Sequence, residues 1–273
     1  MPDPQVALTT GANSGIGLAT VLELARHGLH SVGTVRSKEK AREVAAAAKA
    51  EGLAVETTIL DVTDAAACAR VIDRFRPFAI VNNAGYSLTG AVEDVSDDEV
   101  RQGLETMLVA PIRLARLALP YMRERSAGRI VNVSSIFGVT TTPLIGWYQA
   151  CKHALEAVSD ALRAEVAGTG VKVILIEPGG IRTGIWSEAE RELTGREGSR
   201  FEPSYRRLVS GTRMAQGLMG DPSQVARVIR RAVRARSPRP RYLVGYDAQA
   251  AAVLERVTPT AVRDRVTRTV LGL

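Results

Sequence analysis

Short, β-rich apolar runs alternate with helical patterns along most of the chain. The runs QVALTT (5–10), HSVGTV (30–35), VETTIL (55–60), FAIVNN (78–83), RIVNVS (129–134), VKVILIEP (171–178) and RYLVG (241–245) read as buried strands. Between them lie GIGLATVLELARHG, SKEKAREVAAAAKAEG, DAAACARVIDRF, a long helical stretch around 97–125, and YQACKHALEAVSDALRAEVAGTG. Gly28, Gly52 and Gly168 stand where helix C-caps are expected. Strand and helix in strict alternation imply a parallel sheet covered by helices on both faces. The expected architecture is therefore α/β: one doubly wound domain over residues 1–273 with about seven strands.

Two regions break this rhythm. Residues 182–221 follow a strand, carry Gly and Pro, and suggest short helices. At the C-terminal end of a strand such an excursion is expected to be a substrate lid, the alternative being a surface insertion without function. Residues 246–273 form a C-terminal extension in the basic end of the chain. The net charge of +7 belongs entirely to residues 221–273, with 11 Arg against 4 Asp or Glu, while the first 220 residues balance. In RVIRRAVRARSPRPR the arginines are interleaved with valine and alanine at helical spacing, the pattern of a solvated helix face, so no nucleic-acid partner is expected.

The remaining composition narrows the class. Hydrophobic content of 45% and charged content of 24% are those of an ordinary globular protein. Two cysteines, Cys68 and Cys151, build neither a disulfide framework nor a thiolate metal cluster and suit a cytoplasmic location. MPDPQVALTT lacks the basic and apolar regions of a signal peptide, and no apolar run reaches the roughly 18 residues of a membrane span. His27, His30 and His153 lack metal-ligand spacing, and no metal site is expected.

TTGANSGIGLA begins where the first strand ends and runs into a helix. Gly11 permits a tight turn, Gly15 and Gly17 allow close approach of a ligand, and the helix N-terminus offers free N–H groups to a pyrophosphate. At the end of the second strand stands Arg36, with no carboxylate before Glu39, which favours a 2′-phosphate over a bare ribose. Asp61 ends the third strand, where it serves either an adenine amino group or a helix N-cap. In WYQACKH, Tyr148 and Lys152 lie four residues apart, on one helical face.

TGANSGIG, NNAG (82–85), a serine thirteen residues before the tyrosine, YQACK and PGGIRT (178–183) occur in the order and spacing of the short-chain dehydrogenase/reductase family. The resemblance covers roughly residues 5–245 and implies a Rossmann-type seven-stranded sheet. It assigns Tyr148 as the acid/base at the substrate oxygen, Lys152 as the cation that tunes Tyr148 and holds the nicotinamide ribose, and Ser135 as the hydrogen-bond partner of the developing alkoxide. Ser134 should point to the other side of the strand. The family's cofactor contacts fall on Gly11, Asn13, Ser14, Gly15, Ile16, Gly17, Arg36, Asp61, Val62, Asn83, Ala84, Gly85, Pro178, Gly179, Ile181 and Thr183, besides Tyr148 and Lys152, with Asn82 at the ribose wall. NADP(H) is expected over NAD(H).

One departure stands out. The family usually carries Asn in the long helix, relaying protons through a water to the lysine; aligned by its LPYM end, this chain has Met107 there, with Thr106 the nearest polar neighbour. A thioether does not orient water as an amide does, so reduced activity is expected. The tail and EPGGIRTGIW resemble the retinol and 17β-hydroxysteroid dehydrogenase branch, implying a bulky apolar carbonyl or alcohol as substrate, with Trp147 and Trp186 as candidate pocket residues. The resemblance also implies a homodimer or homotetramer, and IRLARLAL and ALEAVSDALRAEV carry apolar stripes that face either a partner or the sheet. Two rivals remain: a nucleotide-binding regulator that has lost catalysis, and a membrane-surface protein using the basic tail. A methyltransferase leaves YQACK and NNAG unexplained.

Overall fold

The computed structural model describes residues 5–273. Seven strands form one parallel sheet: β1 (Val6–Thr9), β2 (His30–Val35), β3 (Glu56–Ile59), β4 (Ala79–Asn82), β5 (Gly128–Val133), β6 (Val171–Pro178) and β7 (Arg241–Val244), in the order β3-β2-β1-β4-β5-β6-β7. Each falls where the apolar runs place it, within two residues at either end. Register explains why these residues make strands. Leu8 pairs with Ile80, Ile80 with Ile130 and Ile130 with Val173, giving one fully buried row across the centre of the sheet. One residue on, Val81, Val131 and Ile174 form a matching row on the opposite face. Truncating any of these to Ala costs about 2–5 kcal/mol in a closed core.

The helices split between the two faces. α1 (Gly15–Arg26) and α9 (Pro222–Arg234) pack together over Ala7, Val81, Val131 and Ile174. α3 (Ala65–Phe75) and α5 (Ala110–Glu124) cover the row of Leu8, Ile80, Ile130 and Val173. α2 (Lys38–Ala50) closes the β2–β3 edge through Val44 and Ala48. α6 (Gly146–Glu165) lies beside β6, fastened by a buried polar chain in which Asn82 Nδ2 donates to Asn132 Oδ1 (2.7 Å) and Asn132 Nδ2 to Ser159 Oγ (2.8 Å). The apolar stripe of α5 faces this core through Leu114, Ala115, Ala118, Leu119 and Met122.

The long helical stretch is not uniform. α4 (Asp97–Leu104) opens with a Ser96–Glu99 capping box and passes through a π turn, Glu105–Val109, before α5 begins. Pro111 accounts for this: it has no N–H to return to the carbonyl of Met107, four residues earlier. Residues 182–221 form α7 (Ile185–Thr194) and α8 (Glu202–Ala215), and the C-terminal extension forms α10 (Tyr246–Val257) and α11 (Thr260–Leu271). α9 exposes Arg227, Arg231 and Arg234 and buries Val225, Ala226, Ile229, Ala232 and Val233, the solvated face that the interleaving implies, while Arg230 turns to α1 and donates to Glu23 (2.8 Å). Among the described residues no helix is long and apolar enough to cross a membrane.

Candidate active site

Strand order reverses between β1 and β4, and the loops leaving the C-terminal ends of β1, β4, β5 and β6 carry the motifs. The glycine loop follows β1. Gly11 (φ 64°) and Gly15 (φ 50°) adopt left-handed backbone, and a Cβ on Gly17 would lie 2.1 Å from the Gly11 carbonyl oxygen. Side chains cap α2, α3, α4 and α9 (Ser37, Asp64, Ser96 and Asp221), whereas Ser14 makes no side-chain cap on α1. The first N–H groups of α1 are thus left for an anion in a loop too tight for side chains, and the residues present fit a dinucleotide pyrophosphate.

NNAG locks onto this loop. Thr10 Oγ1 accepts from Asn83 N (3.0 Å) and Ala84 N (2.9 Å), and Asn83 Nδ2 donates to the carbonyls of Thr10 (3.0 Å) and Gly11 (3.1 Å). Asn83 therefore holds the loop's shape. Asn82, expected at the ribose wall, instead turns inward to Asn132 and Pro111 and is 3% exposed. Gly85 lies over Met107. Thr183 reaches the same loop, its Cγ2 3.0 Å from where a Gly15 Cβ would stand. Asn13 and Ile16 are partly buried in the loop, and Pro178 and Ile181 are buried on either side of Gly179.

At the far end of the groove Arg36 is exposed, and its charge helps hold the Asp61 carboxyl below its ordinary range, though hydrogen bonds from Thr63 contribute most of that shift. The N-cap of α3 is Asp64, so Asp61 is not the capping residue. Val62 contributes less than expected: its side chain is in the core and its carbonyl accepts from Arg113 (3.1 Å).

β5 stops at Val133, and the next two residues diverge. Ser134 faces Glu156, both flanking Gly138, while Ser135 lies beside the Tyr148 hydroxyl and accepts from Phe137 N (3.1 Å). Phe137 meets the Tyr148 ring edge-on, 6.4 Å between centroids. Lys152 is 6% exposed, its Nζ 5.7 Å from the centre of the Tyr148 ring and donating to the Val133 carbonyl (3.0 Å). Ser135, Tyr148 and Lys152 are thus brought together. Burial pushes the Tyr148 phenol up to about 12, against the pull of Ser135, and pushes the Lys152 ammonium down to about 8.

Two further features had no signal in the sequence, and a third settles where the Met107 side chain lies. Glu156, one turn beyond Lys152 on α6, is buried with Glu177 and both bind Arg241 of β7, which also reaches Asp160. Burial raises the Glu156 carboxyl to about 7, with the neighbouring Glu177 adding to the shift and Arg241 opposing it. Asp247, in the first turn of α10, accepts from Gly180 N (2.5 Å), and its carboxylate occupies the space a Gly179 Cβ would need. Met107 is 1% exposed in an apolar cluster with Leu88, Val95 and Cys151, its side chain in packing and not in any polar contact. Thr106 accepts from Gln102 (3.4 Å).

Helices α7 and α8 close over the same end of the sheet and are fastened to residues 89–99. Glu192 accepts from Thr89 N (3.0 Å) and Oγ1 (2.7 Å), Arg196 donates to the Thr89 carbonyl (2.9 Å) and Glu99 (2.8 Å), and Tyr205 donates to Asp94. Beneath them Ala91, Leu144, Leu193, Tyr205 and Leu271 make one apolar cluster, tying α11 to the residue four before Tyr148. Trp186 donates to the Ile181 carbonyl (2.7 Å) and Trp147 to that of Val92 (3.3 Å). Cys151 is buried, its thiol pushed up by that burial, and His27, His30 and His153 contact Glu23, Glu56 and Gln149 separately.

A family model described as short chain dehydrogenase matches residues 5–194. An uncharacterized oxidoreductase, YusZ, of Bacillus subtilis is 35% identical over 233 residues, covering 82% of this chain and 83% of its own length. The NADPH-dependent 3-dehydrocapnine reductase of Ornithobacterium rhinotracheale is 34% identical over 195 residues, 67% of this chain and 68% of that protein. A short-chain dehydrogenase structure from Streptomyces avermitilis superposes with a TM-score of 0.79 at 33% identity, covering 98% of this chain and 96% of that one.

Proposed function

The chain belongs to the short-chain dehydrogenase/reductase family of oxidoreductases, and from that premise we propose that it is an NADP(H)-dependent reductase of a bulky apolar ketone or aldehyde. The observation that carries this reading is a buried ammonium, Lys152, against the ring of Tyr148 with Ser135 at its hydroxyl, on the sheet edge that also bears an uncapped glycine loop.

Gly11–Gly17 and the N-terminus of α1 hold the diphosphate, with Asn83 and Ala84 fixing the loop. Thr183 and the Gly179–Gly180 backbone hold the nicotinamide end. The cofactor supplies the hydride from C4 of its nicotinamide. Ser135 hydrogen-bonds the substrate carbonyl oxygen and steadies the charge that develops there. Tyr148, whose phenol sits near 12, keeps its proton at neutral pH and delivers it to that oxygen. Lys152 stays protonated below about 8 and stabilises the resulting phenolate. Reprotonation then runs from solvent to Lys152 through water positioned by the backbone carbonyl of Met107, which Pro111 leaves without its α-helical donor, so the thioether need not stand in for an amide.

Preference for NADP(H) rests on Arg36, exposed at the end of β2 where a carboxylate would select NAD(H), and is supported by the relative that uses NADPH. The apolar substrate rests on the aromatic surround of Tyr148 (Phe137, with Tyr86 and Trp147 in the adjoining cluster) and on the cluster under α7 and α8. We read residues 182–221 as the lid, the tail as similar to the retinol and 17β-hydroxysteroid dehydrogenase branch, and the assembly as a homodimer or homotetramer. The deciding experiment is consumption of NADPH and NADH over apolar aldehydes, ketones and steroids, with Tyr148→Phe as control. Turnover favouring NADPH and falling about a hundredfold to ten-thousandfold in the variant is expected. Tight cofactor binding without turnover on any substrate would favour a nucleotide-binding regulator.

A further inference from the structure

The last two helices present apolar side chains to solvent. Val253, Leu254 and Val257 of α10 and Val262, Val266 and Val270 of α11 are each between 51% and 69% exposed. At about 100° per residue, the three α10 side chains fall within a single arc opposite Ala248, the buried residue by which α10 packs down. Those of α11 likewise share one arc away from Leu271, its buried anchor in the lid cluster. Both stripes therefore point outward because the inward sides are already committed to the body of the protein. Solvated helices do not ordinarily expose six such side chains on consecutive outer faces.

Cations border the stripes. Arg256 borders the α10 stripe and Arg265 the α11 stripe, Arg268 lies further round α11 toward the side of Leu271, and Arg207 of α8 lies against Gly272 at its end. Among the described residues none of these four pairs with a carboxylate, whereas Arg263 is occupied by Glu255 and joins the two helices. The single opposing charge on α11 is Asp264. A second copy of this chain meeting this face across a two-fold axis would bring arginine to arginine, a like-charge contact that costs affinity. An anionic lipid surface presents the opposite charge to the guanidinium groups and an apolar layer to the valines beneath them.

We propose that the outward face of α10–α11 rests on an anionic lipid bilayer, with the valine and leucine side chains at the level of the headgroups and first methylenes and the arginines on the phosphates. This face is separate from the nucleotide groove, and the proposal stands whether or not the catalytic reading does.

The test is sedimentation of the full-length protein with vesicles of phosphatidylcholine alone and of phosphatidylcholine with about one-third phosphatidylglycerol. Binding to the anionic vesicles only, weakened by salt, is expected. The exposed-face triple variant Val262→Ser, Val266→Ser, Val270→Ser should lose it with an unchanged thermal midpoint, and Arg256→Gln with Arg265→Gln should weaken it about fivefold per arginine. No binding to either vesicle, equal binding to both, or a serine variant that binds like the parent would overturn the proposal. So would a dimer in light scattering that falls to monomer in the serine variant while vesicles are ignored, which assigns the face to a second copy.

Discussion

Replacing Lys152 with Met should make this protein more stable at neutral pH while stopping turnover. The ammonium is 6% exposed and its pKa falls from 10.5 to about 8, chiefly by burial. That fall corresponds to a cost of ~3 kcal/mol for holding the charged form inside the fold. Met fills nearly the same volume without a charge, but the variant forfeits the hydrogen bond to the Val133 carbonyl, worth about 1 kcal/mol. The net expectation at pH 7 is a gain of about 2 kcal/mol. Because the folded-state pKa lies below the unfolded one, between about 8 and 10.5 the unfolded chain keeps a proton that the folded chain has released, and parental stability climbs with pH across that window. Urea denaturation of both proteins at pH 7 and near pH 10 reads this directly: the advantage of the variant should shrink to about zero at the higher pH. A variant less stable than the parent at pH 7, or an advantage that persists unchanged to pH 10, would refute the account of Lys152 as a charge retained at a cost.

Arg36→Asp should raise the KM for NADPH by about tenfold to a hundredfold, the worth of a charge-assisted hydrogen bond to phosphate, and improve NADH; steady-state kinetics with both cofactors checks it. Asp247→Ala frees the Gly180 N–H and should weaken NADPH binding and slow turnover by several-fold; binding of adenosine 2′,5′-bisphosphate, which occupies only the adenosine end, should not change in calorimetry. Met107→Asn places an amide in an apolar cluster and should cost about 2–4 kcal/mol in denaturant melts, while turnover per folded molecule stays within about twofold of the parent. A large gain in turnover from that substitution would show that the relay does need a side-chain amide at position 107.

These expectations differ in how visible their grounds are in the sequence. The central strands β4, β5 and β6 were legible because they are buried on both faces, so apolar character continues through the run; the row from Leu8 to Val173 needs a large aliphatic residue at every step. Tyr148 and Lys152 were legible because their relation is local, four residues on one helix. Asn82 misled because a motif marks a position without marking a direction: adjacent residues of NNAG point oppositely, one to Asn132 in the core and the other to the glycine loop. Asp247 and Glu156 were silent for another reason. Their partners lie 67 and 85 residues away, so a carboxylate that shapes the Gly179–Gly180 loop looks in the sequence like any acid in a first helical turn.

Met107 shows how the two kinds of information combine. By side chain alone the position argues for a lost relay, and the sequence offers nothing nearer than Thr106 to replace it. The fold offers a substitute on the backbone: Pro111 fixes a π turn at Glu105–Val109, packed against the helix that carries Lys152, and the carbonyl at 107 has no α-helical N–H to receive. A backbone carbonyl accepts hydrogen bonds whatever side chain it carries, so the side chain is free to serve the apolar cluster above Gly85. Pro111→Ala follows as the complementary perturbation. By restoring an N–H to that carbonyl it should straighten the turn and slow proton return to Lys152, lowering turnover while leaving cofactor affinity unchanged. If the alanine variant turns over like the parent with its π turn gone, the relay runs elsewhere and the geometry around Met107 is packing alone.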